Sequence, residues 1–203
     1  MKKLRLLGVL PKHLPMKALV EKLESFNTAT KDTVDLLINL FVKTEFKKGW
    51  ILGDSPWQQT PTLFYISDGL LRGTVEYEES VYTMWLMENG FLIPGNRFLS
   101  NRNGVTEIIE FLTDTHAYAL NLYRADSIAK GNVSLYKMLL EIYEENLIEG
   151  RKRELMLRME TAEERINYYK KSNPSIIYKT DKHIFAPYVR MSVRHLDRFK
   201  GEK

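Results

Sequence analysis

The chain has 203 residues, of which 44% are hydrophobic and 28% are charged, with no cysteine and a formal net charge of +4. This composition is typical of a globular chain of one or two domains and excludes an intrinsically disordered protein. Without cysteine the chain has no disulfide, thiolate metal site, thiol nucleophile or cysteine-ligated iron–sulfur cluster, which fits a reducing compartment.

The first 43 residues are predicted to be a tail followed by helices. Three basic residues precede a short apolar run that Pro11 ends, and we interpret residues 1–10 as a tail or short helix, not as a signal peptide. No run approaches the ~20 apolar residues that span a bilayer, so we expect a cytoplasmic protein without a membrane partner. Residues 16–43 carry apolar side chains at helical spacing on both sides of Asn27 and Thr28.

Between residues 44 and 123 the apolar period falls to about two, and glycine-containing turns recur. This pattern predicts six short strands. They are Thr44–Phe46, Leu63–Ile66, Leu70–Glu76, Val81–Met87, Thr106–Leu112 and Ala117–Leu122. Many short strands at regular spacing predict a sandwich or a barrel.

A long helix is predicted after Asn132, whose side chain can cap it. One apolar stripe recurs at alternating steps of three and four residues, as in helices that pair with a partner. Its members are Val133, Tyr136, Leu140, Tyr143 and Leu147. We interpret it as a dimer interface, the alternative being a helix that only covers its own domain. A second stripe is predicted to pack on the strands; it comprises Leu139, Ile142, Leu155, Met156 and Met159. Gly150 costs ~1 kcal/mol relative to alanine and is predicted to mark a bend or an end.

The chain ends in a predicted helix-turn-helix. Thr161 and Glu164 form a capping box that starts one helix, which stops before Asn173 and Pro174. Two short helices then follow, Asp181–Val189 and Ser192–Lys200, joined at a tight turn at Arg190 and Met191.

The last of these helices has the pattern of a recognition helix. Its apolar face is formed by Val193, Leu196 and Phe199. The polar side carries Arg194, His195 and Arg198. Cations in the first turn oppose the helix macrodipole, so Arg194 and His195 are better placed for an external anion than for folding. Phosphates and guanine edges are such anionic or electron-rich partners.

Charge is divided unevenly along the chain. Residues 151–203 carry 14 Lys and Arg against 7 Asp and Glu, whereas residues 1–150 carry 16 against 19. The C-terminal quarter therefore has a net charge of +7 and the remainder one of −3. Such asymmetry is typical of a nucleic-acid-binding domain attached to another domain, the alternative being a solvated basic surface.

Three segments resemble motifs of the Crp/Fnr transcription regulators, in the same order along the chain. Phe64–Arg72 (FYISDGLLR) resembles the family's strand-turn-strand "yfI..G.lr". Ala162–Ile166 followed by Asn173–Ile176 resembles "A.eRy…nPsi". The helix-turn-helix resembles "IAsyLgit.etLSRir" at Ile184–Ala186, Tyr188, Ser192, Leu196 and Arg198.

The resemblance implies an α+β fold and a function. The fold comprises an N-terminal β-roll (a jelly roll like that of cyclic-nucleotide-binding domains), a long dimerisation helix and a C-terminal winged-helix-like helix-turn-helix. The corresponding domains are residues 1–131, 132–159 and 160–203. It implies a homodimer that binds palindromic double-stranded DNA under control of an effector, with RNA polymerase as a further partner.

The sequence departs from the family at two places. Cyclic-nucleotide-binding members hold the ribose with a Gly-Glu pair and the phosphate with an Arg-Ser/Thr pair, and residues 91–102 contain neither. We therefore do not expect cyclic AMP or any cofactor, although Arg97 or Arg102 could hold another anionic effector if they are more than surface arginines. In the helix-turn-helix, Arg190 replaces the turn glycine and Pro187 lies within the first helix, which predicts a kink or a later start.

The DNA-binding residues are predicted by type and position. Arg194 and Arg198, four residues apart, are predicted to contact base edges with assistance from His195. Three cations are predicted to contact phosphates, Lys182, Arg190 and Lys200. Ser192 is predicted to cap the helix and to donate to a phosphate. The alternative is a β-roll small-molecule sensor or interaction module whose helix-turn-helix is degenerate and does not bind DNA.

An enzymatic function is not expected. Of the four histidines only His116 lies among the predicted strands, so no cupin-type metal site can be assembled from them. No nucleophile elbow or phosphate-binding loop is present in the sequence.

Overall fold

The computed structural model describes residues 16–52, 60–93 and 107–201, without the side chains of residues 200 and 201. In this part of the chain two helices precede the strands, α1 (Lys17–Glu24) and α2 (Lys31–Leu40). The strands are β1 (Val42–Phe46), β2 (Thr62–Asp68), β3 (Leu71–Tyr77), β4 (Ser80–Met87), β5 (Gly90–Leu92), β6 (Glu107–Phe111) and β7 (Thr115–Asn121). The remaining helices are α3 (Leu122–Ala129), α4 (Val133–Arg158), α5 (Ala162–Ser172), α6 (Pro174–Lys179), α7 (Lys182–Tyr188) and α8 (Val193–Gly201).

The strands form two antiparallel sheets with the orders β1-β7-β2-β5 and β4-β3-β6. Their inner faces share one apolar cluster, so the sheets pack face to face as a β-roll. The rings of Phe46 from one sheet and Phe111 from the other stack with centroids 4.2 Å apart. The predicted α+β fold with an N-terminal β-roll is confirmed.

Gly73 allows a close approach inside the roll. A Cβ atom at this position would overlap the indole of Trp85 on the neighbouring strand. The indole reaches past Gly73, and its Nε1 donates to a carboxylate oxygen of Glu107 at 2.5 Å. Burial raises the pKa of Glu107 despite this hydrogen bond, which lowers it.

Helix α4 contains 26 residues, so it is about 39 Å long. Asn132 caps it by accepting a hydrogen bond from the Leu135 backbone at 3.0 Å, as predicted. The helix continues through Gly150, so the prediction of an end at that residue is wrong. Leu155 is 54% exposed and does not belong to the buried face, contrary to the prediction. Its neighbour Met156 is fully buried against the C-terminal helices.

Hydrogen bonds and an ion pair connect α4 to α1 and to the turn between α1 and α2. The carboxylate of Glu141 accepts hydrogen bonds from the backbone and side chains of Asn27 and Thr28. Burial would raise the pKa of Glu141, but these hydrogen bonds together hold it below its usual value. Lys22 and Glu145 form an ion pair one turn further along. The buried face of α4 in this region is apolar, formed by Leu135, Met138 and Ile142.

Helices α5–α8 form a C-terminal unit, the head, around its own apolar cluster. The predicted capping box starts α5: Glu164 N donates to Thr161 Oγ1 at 3.1 Å, and Thr161 N donates to the Glu164 carboxylate at 3.0 Å. The cluster also includes Leu70 and Leu86 from the β-roll, so the head lies against the roll through an apolar contact. Among the helices of the described ranges, none has both the length and the hydropathy to cross a membrane.

Candidate nucleic-acid interface

The turn between α7 and α8 has the geometry of a Schellman motif. Met191 N donates to Ala186 O at 2.9 Å, and Arg190 N donates to Pro187 O at 3.0 Å. Arg190 lies at the position where this motif usually has glycine, with φ of +55°. The turn that joins the two helices is therefore formed although its glycine is replaced.

Pro187 has a limited effect because α7 is short. Asp181 caps the helix by accepting a hydrogen bond from His183 N at 2.7 Å. Helix α7 then runs over seven residues and ends at Tyr188, so Pro187 lies in its last turn. The proline removes the bond that residue 187 would donate to His183 O, and the start of the helix moves by only one residue from the prediction.

Arg165 fixes the turn from beneath. Its side chain is 8% exposed, and Nε donates to Val189 O at 2.8 Å while Nη2 donates to Arg190 O at 3.1 Å. Nη1 donates to Met159 O at 2.7 Å and Glu160 O at 3.2 Å. One guanidinium thus joins the helix-turn-helix turn to the segment that follows the long helix.

Sequence reasoning did not assign Arg165 a role, because arginine is usually exposed. The usable signal in the sequence was spacing: Arg165 stands next to Ile166 and four residues before Tyr169. Both of these apolar residues are buried in the structure. This spacing places Arg165 on the apolar face of α5, where a charged residue needs internal acceptors.

Helix α8 has the two faces that the sequence predicts. Leu196 is fully buried, and Val193 and Phe199 pack partly buried against the head's apolar cluster. The opposite side exposes three cationic or titratable side chains, Arg194, His195 and Arg198. At the start of the helix Ser192 Oγ accepts from His195 N at 3.2 Å, so Ser192 is the predicted cap.

The three predicted phosphate contacts differ in their surroundings. Arg190 is exposed beside the turn. Lys182 forms an ion pair with Asp197 at 3.1 Å, which links α7 to α8. The side chain of Lys200 lies outside the described residues.

The predicted dimer stripe is exposed in the single chain. Its exposed fractions are 64% for Val133, 43% for Tyr136, 60% for Leu140, 38% for Tyr143 and 57% for Leu147. The stripe spans 15 residues of helix, or about 21 Å between its ends. The opposite side of α4 contacts the chain's own core, and the described part of the molecule leaves about 40% to 60% of this apolar stripe exposed to water.

The predicted effector residues Arg97 and Arg102 lie outside the described residues. Within the described ranges there is no group of three or more histidine, aspartate or glutamate side chains that could hold a metal ion.

The backbone conformation of Arg190 leads to a stability prediction. A side chain at positive φ costs ~1 kcal/mol or more, and glycine does not have this cost. We expect Arg190→Gly to be more stable than Arg190→Ala by about 1 kcal/mol in urea unfolding. Both variants lack the guanidinium, so their difference isolates the backbone effect. An Arg190→Ala protein as stable as Arg190→Gly would contradict the left-handed conformation.

Three solved structures resemble the chain in fold. A protein from Eubacterium rectale assigned to the crp/fnr family of transcriptional regulators has a TM-score of 0.62 at 15% identity, over 85% of this chain and 82% of that one. FixK2 from Bradyrhizobium japonicum has a TM-score of 0.59 at 15% identity, over 78% and 81%. The c-di-GMP responsive global regulator CLP from Xanthomonas campestris has a TM-score of 0.57 at 12% identity, over 83% of this chain and 89% of that one.

No family model matches the chain, and no curated protein matches its sequence. The likeness is therefore one of fold, and it extends over 78% to 85% of this chain and 81% to 89% of the three solved chains. The chain accordingly has the Crp/Fnr fold, with a β-roll like that of cyclic-nucleotide-binding domains followed by a helical C-terminal region.

Proposed function

We propose that the chain is a sequence-specific DNA-binding transcription regulator of the Crp/Fnr type, acting as a homodimer on palindromic double-stranded DNA. The observation that carries this proposal is helix α8. Its apolar underside is buried in the head, and its exposed side presents Arg194, His195 and Arg198. The helix is held at a fixed angle to α7 by a Schellman turn and a buried guanidinium.

The dimensions and chemistry of α8 suit the major groove. This groove is about 12 Å wide and admits one helix. Arg194 and Arg198 lie one turn apart on the same side, so both can reach base edges, and arginine pairs with the O6 and N7 atoms of guanine. His195 lies to one side of them, with its ring 5.1 Å from that of Phe199, and assists. Arg190 and Lys200 contact phosphates, and so does Lys182, whose ammonium group has three donors and keeps its pair with Asp197. The hydroxyl of Ser192 donates to a phosphate as well.

The exposed apolar stripe of α4 is the proposed dimer interface. Two copies paired along Val133–Leu147 bury an apolar surface that water otherwise contacts. Such a pair presents two α8 helices to successive major grooves, about 34 Å apart, and therefore binds a palindrome. We divide the chain accordingly into a β-roll sensor (1–131), a dimerisation helix (132–159) and a DNA-binding head (160–203), and we place RNA polymerase among the partners.

The competing function is a β-roll sensor or interaction module without DNA binding. Asp197 favours it, because this carboxylate lies on the exposed part of α8 between the two arginines in sequence and would repel phosphate. Its ion pair with Lys182 reduces that repulsion. The intact turn beneath α8 favours DNA binding.

Selection from a random duplex pool decides between the two functions. The full chain is incubated with the pool at two salt concentrations, and the retained duplexes are sequenced. We expect a palindrome whose half-sites are about ten base pairs apart. Retention of duplexes without any enriched sequence would contradict the proposal, and so would the absence of binding at low salt.

Arg194→Ala is expected to reduce sequence discrimination. The substitution should weaken binding to the selected duplex by ~1 to 3 kcal/mol and binding to a scrambled duplex much less. The measurement is fluorescence anisotropy with both duplexes. Arg124→Ala is the matched control, since Arg124 is an exposed arginine of α3, outside the head. Equal losses on both duplexes would show that Arg194 contributes only general electrostatic attraction.

A further inference from the structure

A cleft lies between the β-roll, the long helix and the head. One wall is the end of β4 and the turn into β5, the second is α4 around Gly150, and the third is formed by α5, α6 and α7. Its volume is about 630 Å³. Small-molecule sites are commonly about 300 to 1,000 Å³ and often lie between domains.

Two partly exposed aromatic side chains line the interdomain cleft, Trp85 of the β-roll and Tyr168 of the head. Four further rings lie buried behind its surface and are at most 8% exposed: Tyr65, Phe91, Tyr169 and Tyr188. Burial raises the pKa of Tyr169 and of Tyr188, and their hydroxyls already have partners: they hydrogen-bond each other, and Tyr188 also hydrogen-bonds Arg153. The apolar surface that the cleft offers therefore comes from Trp85 and Tyr168.

Most charges around the cleft are neutralised in pairs. Lys22 pairs with Glu145, Lys152 pairs with Glu149 at 2.6 Å, and Glu88 pairs with Lys179 at 2.7 Å. Among the described charged residues that line the cleft, these pairs leave Arg153 as the one without a partner of opposite charge. A ligand gains little from any of them, because each would first lose its present partner.

Arg153 is different. Its Nη2 donates to the main-chain oxygen of Thr83 at 3.1 Å, and its guanidinium lies 5.0 Å from the ring centre of Tyr188. Its Nε is buried without an acceptor, and in the described part of the chain no carboxylate lies within 4.0 Å. A partly buried cation without a counterion favours an anion that enters the cleft.

We propose that the interdomain cleft is a binding site for a small organic anion, whose acidic group binds Arg153 and whose apolar body packs against Trp85 and Tyr168. The cleft is open beside Gly150, because a Cβ atom at this residue would meet nothing within 4 Å. The occupant would contact roll, helix and head at the same time. The proposal does not depend on DNA binding.

The test uses two fluorescent probes with the same type of aromatic body. 8-Anilinonaphthalene-1-sulfonate carries one anionic group, and N-phenyl-1-naphthylamine carries none. We expect the sulfonate to saturate one site per chain and to bind at least tenfold more tightly than the neutral probe. Arg153→Met should weaken sulfonate binding roughly tenfold or more, since a hydrogen bond to a charged group is lost, and should leave the neutral probe unchanged.

Two further variants make the result specific. Arg158→Met is the matched control, because Arg158 lies on the same helix and is 74% exposed, and it should bind both probes normally. Gly150→Phe fills the cleft without adding charge and should reduce binding of both probes; it also tests the site if Arg153→Met does not fold, which thermal unfolding reveals. Equal affinity of the two probes for the native chain, or full sulfonate affinity in either cleft variant, would overturn the proposal.

Discussion

Leu140→Asp should convert the dimer to a folded monomer that no longer binds palindromic DNA tightly. Leu140 is 60% exposed in the single chain, so the folded monomer loses little when it becomes aspartate. In the proposed dimer both copies lose a buried leucine, at about 1.5 to 3 kcal/mol each, and two carboxylates approach each other. The dissociation constant of the dimer should therefore rise about 1000-fold or more.

Sedimentation equilibrium at micromolar concentration measures this change directly. Val42→Asp is the matched control, because Val42 is 57% exposed and lies on β1, away from the stripe. It should remain dimeric. Anisotropy with a palindromic duplex should show loss of affinity for Leu140→Asp only. A native chain that sediments as a monomer, or a Leu140→Asp chain that remains dimeric, would contradict the proposed dimer interface along α4.

Arg165→Met is expected to cause the largest loss of stability in the head. Methionine retains most of the apolar stem, but the four carbonyl groups that accept from the guanidinium lose their donor. Hydrogen bonds to charged groups contribute about 1.5 to 3 kcal/mol each, and some of the freed carbonyls can reach water. A loss of at least ~3 kcal/mol is therefore expected, a large part of the ~5 to 15 kcal/mol that stabilises a typical domain.

Urea unfolding followed by circular dichroism measures the loss. Arg165→Lys keeps the charge but provides a single nitrogen, which cannot join the Val189 and Arg190 carbonyls to that of Met159, so it should recover only part of the stability. Arg158→Met, on the exposed side of α4, should change stability by less than about 0.5 kcal/mol. An Arg165→Met chain as stable as this control would show that the hydrogen bonds of Arg165 do not stabilise the head.

The elements with a clear period are predictable from the sequence. The six predicted strands all occur, because alternation of apolar and polar residues, or a short apolar run such as Leu63–Ile66, stands between turn residues in each case. Strand β5 has only three residues and begins in the turn at Asn89 and Gly90, so the sequence pattern does not predict it. Helix α6 has six residues and begins at Pro174, a residue that the sequence indicates only as a helix stop. Proline is also favourable at the first helical position, and here that role applies.

Contacts between distant segments could not be predicted in this way. The exposed side of α8 and the stripe of α4 follow from spacing within one helix. Arg165 and Arg153 bind carbonyls 24 and 70 residues away, and the interdomain cleft combines residues from α1 to α7. No local pattern encodes which carbonyl a guanidinium meets, because that depends on how the head lies on the roll.

Leu70 and Leu86 belong to the β-roll by sequence and to the head by burial. Turning the head away from the roll would bring both side chains into water, at a cost of about 1.5 to 3 kcal/mol for each. This contact therefore holds the head against the roll. A molecule that binds a turned head would have to supply that free energy through its tighter binding to the turned arrangement.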